Sequence, residues 1–292
     1  MSTLVNDGQS AALFAALLRQ HTGYKRTGYL STTSCVEAPQ IRCLQQRHDN
    51  EIIVPASTLI PSFVGTCVHT EIEKYEKGIF DGVYQEQEFV IESCGTKFSG
   101  RPDMYDVKEE EVGDEKCTSV WTFRYNRDGK KEHISQININ AYLLRRAGFK
   151  CHKGWIELIF MDWKLSEARR DQSYPRRTER IFLTDLWSDE YTKDFIDTRV
   201  QAHLNADKLP DELLPPCTGD DQWRKPHAYA VFKKGNSRAT KVFESKSDAE
   251  ELRSELGRIA TIEERPGERT RCEDYCLAKP FCHQYKREHD GV

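Results

Sequence analysis

Two carboxylates and a lysine stand close together near the middle of this 292-residue chain. Asp114 follows Asp103 by eleven positions, and Lys116 comes two places after Asp114. Because side chains alternate along a strand, a strand here puts Asp114 and Lys116 on one face and Glu115 on the other. A preceding turn could bring Asp103 alongside. Two carboxylates and an ammonium gathered at one point can hold a divalent cation and meet a phosphate.

The segment before the carboxylates predicts a helix over residues 63–75, because apolar residues recur there at helical spacing. His69 and Glu73 share one face of that helix. A neutral imidazole at this place could complete a metal site. Taken alone, a histidine of this kind is more often a core or surface residue.

The segment after the carboxylates predicts a second helix over residues 134–146. Gln136 and Asn140 lie one turn apart on one face of it, with His133 on the same side. A glutamine there can position a water molecule or a scissile phosphate. A polar helix face is otherwise simply solvated.

Strands must connect these helices. Alternating or β-branched residues predict strands over 88–92, 97–106, 117–123 and 154–163, with a charged hairpin connection at 108–113. A further amphipathic helix is expected over 185–205, then a proline-rich linker, then a hairpin and a helix over 247–256. The order indicates an α/β protein with a mixed sheet flanked by helices.

Composition sets limits on the class of protein. The chain carries 31% charged and 38% hydrophobic residues, has a formal net charge of −4, and contains no apolar stretch long enough to span a bilayer. The apolar run at 11–18 lacks a basic leader, so it predicts an opening amphipathic helix and a cytoplasmic protein. Phosphate contacts depend on local patches. One cluster offers such a patch or is a solvated loop: Arg169, Arg170, Arg176, Arg177 and Arg180.

Three of the ten cysteines cluster near the end of the chain. Cys272, Cys276 and Cys282 form a C-x₃-C-x₅-C pattern, which in a cytosolic protein favours metal ligation over disulfides. Cys217, at the boundary of the same module, is the first choice for a fourth ligand, with Cys35 or Cys43 as the rival. The four thiols suit a 4Fe–4S cluster, and structural zinc would accept them too, or a histidine such as His283.

The ordered pattern resembles the PD-(D/E)XK nuclease superfamily, in particular its RecB-like branch of phage and prophage exonucleases. Four pieces carry the resemblance in sequence order: Gly65-Thr66…His69, Gly100…Pro102-Asp103, Asp114-Glu115-Lys116-Cys117-Thr118 and Gln136-Ile137-Asn138. It covers residues 30–205. One departure is Asn140, where family members usually carry a tyrosine, and Tyr142 falls two places later.

The resemblance implies the roles of the site residues. Asp103 and Asp114 would ligate Mg²⁺ or Mn²⁺, with the Glu115 backbone carbonyl and His69 adding to the metal site. Lys116 would orient the attacking water, and Gln136 would assist. A register with Glu115 as the second acid is disfavoured, because position 117 is Cys rather than Lys. RecB-like nucleases such as AddB and the CRISPR-associated exonucleases also close an iron–sulfur cluster with three C-terminal cysteines.

The resemblance further implies a restriction-endonuclease-like fold in three parts. These are a helical segment at 1–30, a nuclease core at 31–209, and a small C-terminal hairpin-plus-helix and cysteine-rich module at 210–292. The expected function is a metal-dependent DNA exonuclease in phage recombination or DNA processing, working in the cytoplasm of a bacterial host. It would act beside a single-strand annealing or binding protein. A non-catalytic DNA-binding protein with a degenerate nuclease fold and a PD-(D/E)XK endonuclease are the alternatives.

Overall fold

The structure, a computed structural model, describes residues 1–23, 29–76, 83–85 and 87–290. Residues 24–28 of the predicted N-terminal segment lie outside the described residues. The strands follow one another as β1 (Thr3–Val5), β2 (Leu30–Ser31), β3 (Ile53–Pro55), β4 (Val83–Gln85), β5 (Phe89–Ser93), β6 (Thr96–Gly100), β7 (Met104–Asp106), β8 (Glu111–Thr118), β9 (Lys153–Phe160), β10 (Thr178–Leu183), β11 (Ala228–Lys233), β12 (Lys241–Phe243) and β13 (Ala260–Arg265).

Helices precede, separate and follow these strands. They are α1 (Ala11–Gly23), α2 (Thr32–Val36), α3 (Pro39–Arg47), α4 (Ile60–Glu76), α5 (Val120–Tyr125), α6 (Lys131–Arg146), α7 (Leu165–Arg170), α8 (Asp189–Asp207), α9 (Lys246–Leu256) and α10 (His283–Asp290). Among the described residues, none of these helices combines the length and the apolarity needed to cross a membrane.

The central sheet is mixed, with strand order β10-β9-β8-β7-β4. The pair β8 and β9 is parallel, and the other neighbours are antiparallel. A second sheet of order β2-β6-β5 lies beside it, and β1 pairs with β3. The prediction of an α/β protein with a mixed sheet and flanking helices is confirmed at this level.

The core lies between α6 and one face of the central sheet. Residues 137–144 of α6 are all buried, and Ile137 packs against β9 at Gly154. Val112, Asp114 and Lys116 of β8 stand opposite Gly154, Ile156 and Leu158 of β9. Because side chains alternate along a strand, Asp114 and Lys116 share the face that packs on α6, and Glu115 faces the other way.

Two of the predicted strands are wrong in their bounds. The segment 117–123 contains the end of β8 and then α5, because Ser119 caps that helix by accepting a hydrogen bond from the Thr122 backbone N–H. The segment 97–106 is broken into β6 and β7, which belong to different sheets. Pro102 lies at the break, where it has no N–H to donate to a strand partner.

The predicted C-terminal hairpin and helix are confirmed as β11, β12 and α9. The structure adds β13, which pairs with β11 to complete a three-stranded antiparallel sheet under α9. The cysteine-rich end of the chain then returns to the N-terminal half, where it packs on α3 and α8. The domain boundaries at 30/31 and 209/210 stay predictions.

Candidate metal-binding cleft and cysteine cavity

An open cleft of about 490 Å³ lies between α4, the turn before β7, and β8. One face of α4 supplies four residues at the spacing i, i+3, i+4 and i+7, and the turn and β8 supply the rest. The lining residues are Thr66, His69, Thr70, Glu73, Arg101, Asp103 and Lys116. The helical spacing of the first four is a signal that the sequence already carries, although only His69 and Glu73 were predicted to share a face.

Three side chains in this region converge as a set of metal-ligand donors. The ligand atoms of His69, Asp103 and Glu115 all lie within 4.8 Å of one another. His69 Nδ1 is 3.7 Å from Asp103 Oδ2 and 3.7 Å from Glu115 Oε2. The Glu115 backbone N–H donates to Asp103 Oδ2 at 3.0 Å, so the turn is tied to the strand.

The structure therefore uses Glu115 differently from the sequence expectation. The expectation gave this residue a backbone carbonyl only and made Asp114 the partner of Asp103. In the structure, the Glu115 carboxylate joins Asp103 and His69, while Asp114 lies on the opposite face of β8 beside Lys116. Strand alternation was predicted, but the sequence does not say on which side of β8 the turn carries Asp103.

Asp114 and Lys116 form a buried ion pair next to the three converging groups. Lys116 Nζ lies 2.6 Å from Asp114 Oδ2, yet this buried oxygen accepts no well-aligned hydrogen bond. Burial raises the pKa of Asp114 to about 6, against the effect of Lys116, and the Asp103 carboxylate raises it further. Burial alone would lower the pKa of Lys116, but Asp114 and Asp103 outweigh it and raise the net value. The ammonium is therefore held in its protonated form.

Two histidines near this ion pair are kept neutral. Burial lowers the pKa of His69, and the nearby Lys116 charge lowers it further. Burial and Lys116 also lower the pKa of His133 to about 4. A neutral imidazole has a nitrogen lone pair to offer, so His69 is in the form that a metal ion requires.

The predicted residues of α6 divide between the site and the core. Gln136 is half-buried one turn beyond His133, and among the described contacts none joins it to the cleft. Asn140 is buried, and its Oδ1 accepts a hydrogen bond from the Thr32 hydroxyl at 3.2 Å. Tyr142 is 5% exposed and belongs to the core. Asn140 is therefore a packing residue in this structure.

Gly100 lets the turn that carries Asp103 approach α6. A Cβ at this position would lie 2.7 Å from Asn140 Oδ1 and would also collide with Leu143 and Thr32. Only a residue without a side chain fits here, because the colliding atoms are themselves buried. Gly100 thereby fixes the position of Asp103 three residues later.

The arginine cluster remains on the surface. All five of its members are exposed, and they lie on α7, on β10 and in the loop between them. Arg180 pairs with Glu157 at 2.7 Å and covers the Trp155 ring, and Arg177 lies 4.6 Å from the centroid of the Trp163 ring. Phosphate contact by this cluster stays a prediction.

The four cysteines of the predicted second site line one cavity. Cys217, Cys272, Cys276 and Cys282 all face it, together with polar residues that include Gln40 and Gln284. Gln284 and Gln40 both accept from the Cys217 backbone N–H, at 2.8 Å and 3.1 Å, which fixes Cys217 beside the other three. Neither rival lines this cavity: Cys35 is buried where its carbonyl accepts from Arg199 of α8, and Cys43 is buried in the apolar cluster that includes Cys276 and Cys282, with its thiol donating to Asp207.

The pKa values of these thiols are raised by their neighbours as well as by burial. Burial raises the pKa of Cys217, and Asp221 and the three neighbouring thiolates raise it further. Burial likewise raises the pKa of Cys272, with Cys276 and Cys282 adding to the effect. Several thiolates cannot coexist here without a cation. Among the described residues, no three of the four sulfurs lie within 4.8 Å of one another.

Comparison with known proteins gives only distant likenesses. No family model matches the chain, and no curated protein matches it by sequence. The crystal structure of SSO0001 aligns with a TM-score of 0.44 and 17% identity over 66% of this chain and 86% of that one. A phage related exonuclease from Haemophilus somnus 129PT aligns with a TM-score of 0.31 and 14% identity over 67% of this chain and 78% of that one.

The fold and site thus define a mixed α/β protein with a histidine–carboxylate cleft and a separate four-cysteine cavity. Both structural likenesses are too distant to carry a functional argument, so the function must be inferred from the geometry of these two places.

Proposed function

We propose that this protein is a metal-dependent nuclease that hydrolyses phosphodiester bonds in DNA, acting as an exonuclease. The observation that carries the proposal is the convergence of His69, Asp103 and Glu115 within 4.8 Å, beside a protonated Lys116 in an open cleft. Two carboxylates and a neutral imidazole are a donor set that suits Mg²⁺ or, with its nitrogen, Mn²⁺.

The residues present fit such an ion. His69, Asp103 and Glu115 would hold it, and Asp114 Oδ2, which lacks a well-aligned hydrogen bond, is a further acceptor close by. A bound divalent ion polarises a phosphoryl oxygen and lowers the pKa of a coordinated water. All other roles in the reaction would be carried by side chains of this protein.

Lys116 is the proposed catalytic cation. Its ammonium is held by Asp114 at 2.6 Å and is about a quarter exposed, so it can reach the cleft without losing its charge. It would orient the attacking water and offset the negative charge that develops on the phosphate. Asp114 keeps the ammonium in place and is therefore a positioning residue as well as a candidate ligand.

The cleft wall offers groups for the substrate backbone. Thr66 and Thr70 present hydroxyls from one face of α4, and Arg101 lines the cleft two residues before Asp103. Hydroxyl and guanidinium donors of this kind fix the position of phosphates without reading the bases. This supports a nuclease that acts without sequence specificity.

Cleavage of DNA by matched variants tests the proposal. We expect Asp103→Asn and Lys116→Ala each to lower the rate on linear DNA with Mg²⁺ or Mn²⁺ by at least about a hundredfold. Lys108→Ala, an exposed lysine on the neighbouring turn, should cleave normally. Full activity in both site variants, with unchanged melting temperatures, would overturn the mechanism.

The choice of substrate separates the proposal from its alternatives. An exonuclease degrades end-labelled linear DNA and spares a covalently closed circle, whereas an endonuclease cuts both. Tight DNA binding without cleavage under either metal would favour a non-catalytic DNA-binding protein. A single-strand annealing or binding protein remains the predicted partner.

We also propose that Cys217, Cys272, Cys276 and Cys282 hold a 4Fe–4S cluster. Tetrahedral zinc with Zn–S bonds of about 2.3 Å would bring the sulfurs to about 3.8 Å from one another. Four thiolates are the usual ligands of a 4Fe–4S cluster, and the four cysteines line one cavity. The cavity measures only about 20 Å³, so the thiol side chains would have to turn outward to make room for the cluster.

Metal analysis after anaerobic purification tests the cluster. We expect a brown protein with about four irons per chain, lost in Cys276→Ser and kept in Cys67→Ser, which alters an exposed cysteine on α4. Stoichiometric zinc without iron would replace the cluster by a structural zinc site. If freshly purified protein contained neither iron nor zinc, that result would contradict the proposal.

A further inference from the structure

Four exposed aromatic side chains lie on the surface from α5 to the cysteine-rich end of the chain. Trp121 is 58% exposed, Tyr125 81%, Trp223 42% and Tyr275 64%. Side chains of this size are costly to leave in water. None of the four belongs to the candidate catalytic cleft, so their exposure needs another explanation.

The first pair stands on α5, directly after the strand that carries Lys116. The rings of Trp121 and Tyr125 are stacked, with centroids 6.2 Å apart and planes inclined by 28°. The Arg124 guanidinium lies over the Trp121 ring at 5.5 Å. A pair of nearly parallel exposed rings with a cation beside it offers flat apolar faces and positive charge together.

The second pair stands on the C-terminal segment. The ring centroids of Trp223 and Tyr275 are 5.4 Å apart. Lys130 Nζ lies 5.8 Å from the Trp223 centroid and the Arg271 guanidinium lies 5.4 Å from it, so two cations flank this ring as well.

The two pairs adjoin one another. Lys225, two residues after Trp223, is within electrostatic reach of Tyr125 and of Asp274. Lys131, at the start of α6, pairs with Asp220 at 2.7 Å, and the Asp220 carbonyl accepts from the Trp223 backbone N–H. The loop carrying Trp223 is therefore tied to the segment that follows α5. The four rings and their flanking cations form one surface, called the aromatic track below.

We propose that the aromatic track binds single-stranded DNA by stacking its bases. The inference deepens the proposed function by naming the substrate, and the choice of DNA over RNA rests on that function. Every base has a π-face that an exposed tryptophan or tyrosine can cover, and interleaved cations meet the phosphates. In a duplex these base faces are hidden, so the rings select unpaired strands or frayed ends.

The charges along the track favour nucleic acid over a protein partner. Lysine is depleted in protein interfaces, whereas here Arg124, Lys130, Lys225 and Arg271 alternate with the rings. Three of these cations are already paired: Arg124 with Asp171 at 2.5 Å, Lys225 with Glu268 at 2.8 Å and Arg271 with Glu37 at 2.7 Å. Phosphates must compete with these carboxylates. Each phosphate that the cations neutralise releases condensed counterions from the DNA, so binding should weaken with salt.

The track also connects the two proposed sites. Tyr275 lies between Cys272 and Cys276 on a single π-helical turn, so the cysteine ligands determine where its ring stands. Trp121 follows Lys116 by five residues, on the helix α5 that comes directly after β8. The track thus shares chain segments with both proposed sites.

Binding without cleavage tests the inference. Fluorescence anisotropy of a labelled 20-nucleotide oligo(dT) in EDTA measures affinity independently of catalysis, with a blunt duplex of equal length as comparison. We expect Trp121→Ala and Trp223→Ala each to raise the Kd for the single strand by roughly tenfold or more. Phe182→Ala, which removes a 65%-exposed ring on β10, is the matched control and should bind normally. Trp121→Phe should recover much of the affinity.

The outcomes separate the inference from the proposed function. Unchanged affinity in both tryptophan variants, or equal weakening of duplex binding, overturns the single-strand track even if the protein cleaves DNA. Loss of single-strand affinity in both variants supports the track even if no nuclease activity is found. Salt titration should give a steep fall in affinity, and an affinity independent of salt would contradict the role of the cations.

Discussion

The cleft and the cysteine cavity are built in opposite ways. In the cleft, the donors are hard oxygen and nitrogen atoms on α4, β8 and a turn tied to β8, and they converge within 4.8 Å. In the cavity, the donors are soft thiols on a linker, a π-helical turn and the residues before α10, and they stand further apart. Core packing and the hydrogen bond between Glu115 and Asp103 assemble the first set. The second set lies on segments outside the central sheet, and burial keeps its thiols protonated, so a cation that replaced their protons would tie these segments together.

This contrast predicts which of the two proposed metal sites would depend on its metal for structure. A preformed donor set should lose and regain an ion without unfolding, whereas thiols on separate segments should lose their common anchor when their ion leaves. Catalytic metal sites need exchangeable positions, and structural sites need permanent ones. Four predictions test this contrast between the two sites.

Replacing either of the two adjacent acids of β8 should have the largest effect. We expect Glu115→Gln to weaken Mn²⁺ binding at least tenfold, because it removes one of the three converging donors. Asp114→Asn should leave Mn²⁺ affinity closer to normal and lower the cleavage rate by at least about a hundredfold, because Lys116 loses its partner. Calorimetry and single-turnover kinetics measure the two effects. If instead Asp114→Asn weakened Mn²⁺ binding and Glu115→Gln did not, Asp114 would be the principal ligand, as expected from the sequence.

Losing a cysteine should affect the C-terminal segment far more than losing the cleft metal. We expect Cys217→Ser to raise the rate of limited proteolysis after residue 217 by about tenfold, because the segment loses its anchor. EDTA treatment of the wild-type protein strips only an exchangeable ion from the cleft and should shift the melting temperature by less than about 1 °C. If EDTA treatment destabilised the protein as much as Cys217→Ser does, both sites would be structural.

Adding a side chain at Gly100 should disturb the cleft, because it disrupts the packing around this position. Gly100→Ala is expected to cost about 1–3 kcal/mol of unfolding free energy, because its Cβ collides with Asn140, Leu143 and Thr32. Gly65→Ala, inside α4 with open space around it, should be neutral or stabilising by up to about 1 kcal/mol. Urea denaturation of the two variants gives the comparison, and equal stability would show that Gly100 is not confined.

Acidification should lower the unfolding free energy by a smaller amount, through the contact between α3 and α8 on which the cysteine-rich segment packs. His203 of α8 is fully buried, and its Nδ1 accepts from Arg42 Nε of α3 at 2.9 Å. Burial, with Arg42 and Arg199, lowers the pKa of His203 to about 4, so the unfolded chain binds a proton that the folded one refuses. This contribution to stability is complete above about pH 6.5 and is lost as the pH falls toward 4.

Urea unfolding between pH 5 and 7 measures that loss, which is at most about 1.4 kcal/mol per pH unit. His203→Asn, whose amide oxygen can replace Nδ1 as the acceptor, should flatten the pH dependence. An unchanged slope in the variant would assign the pH dependence to other groups.

The sequence predicted the local elements of the cleft better than their arrangement. The periodicity around His69 and Gln136 gave both helices, and alternation at Asp114 and Lys116 gave a strand with these two residues on one face. The position of the turn relative to β8 depends on Gly100 meeting Asn140, a contact 40 residues apart in the chain. No local pattern encodes that distance, so the place of Glu115 could not be predicted.

Errors in the remaining elements have local causes. The β-branched and aromatic residues from Cys117 to Phe123 favour a strand, but the cap at Ser119 and the Asp162 carboxylate, which accepts from the Val120 N–H, start a helix there. The strand β10 was missed because its apolar residues do not alternate with polar ones: Ile181 and Leu183 pack against the core, but Phe182 between them is exposed. Tertiary pairing with β9 decides its structure.

The docking of the C-terminal segment on α3 has a consequence for synthesis. Arg271 pairs with Glu37 across 234 residues, and Phe281 stacks on His48 with ring centroids 4.0 Å apart. At about 5–20 residues per second, a ribosome needs roughly 10–50 s to make the chain between Glu37 and Arg271. During that interval one side of α3 has no cover, so a nascent chain exposes an apolar surface that chaperones can bind. Synthesis of the segment that carries Arg271 and Phe281 ends this exposure.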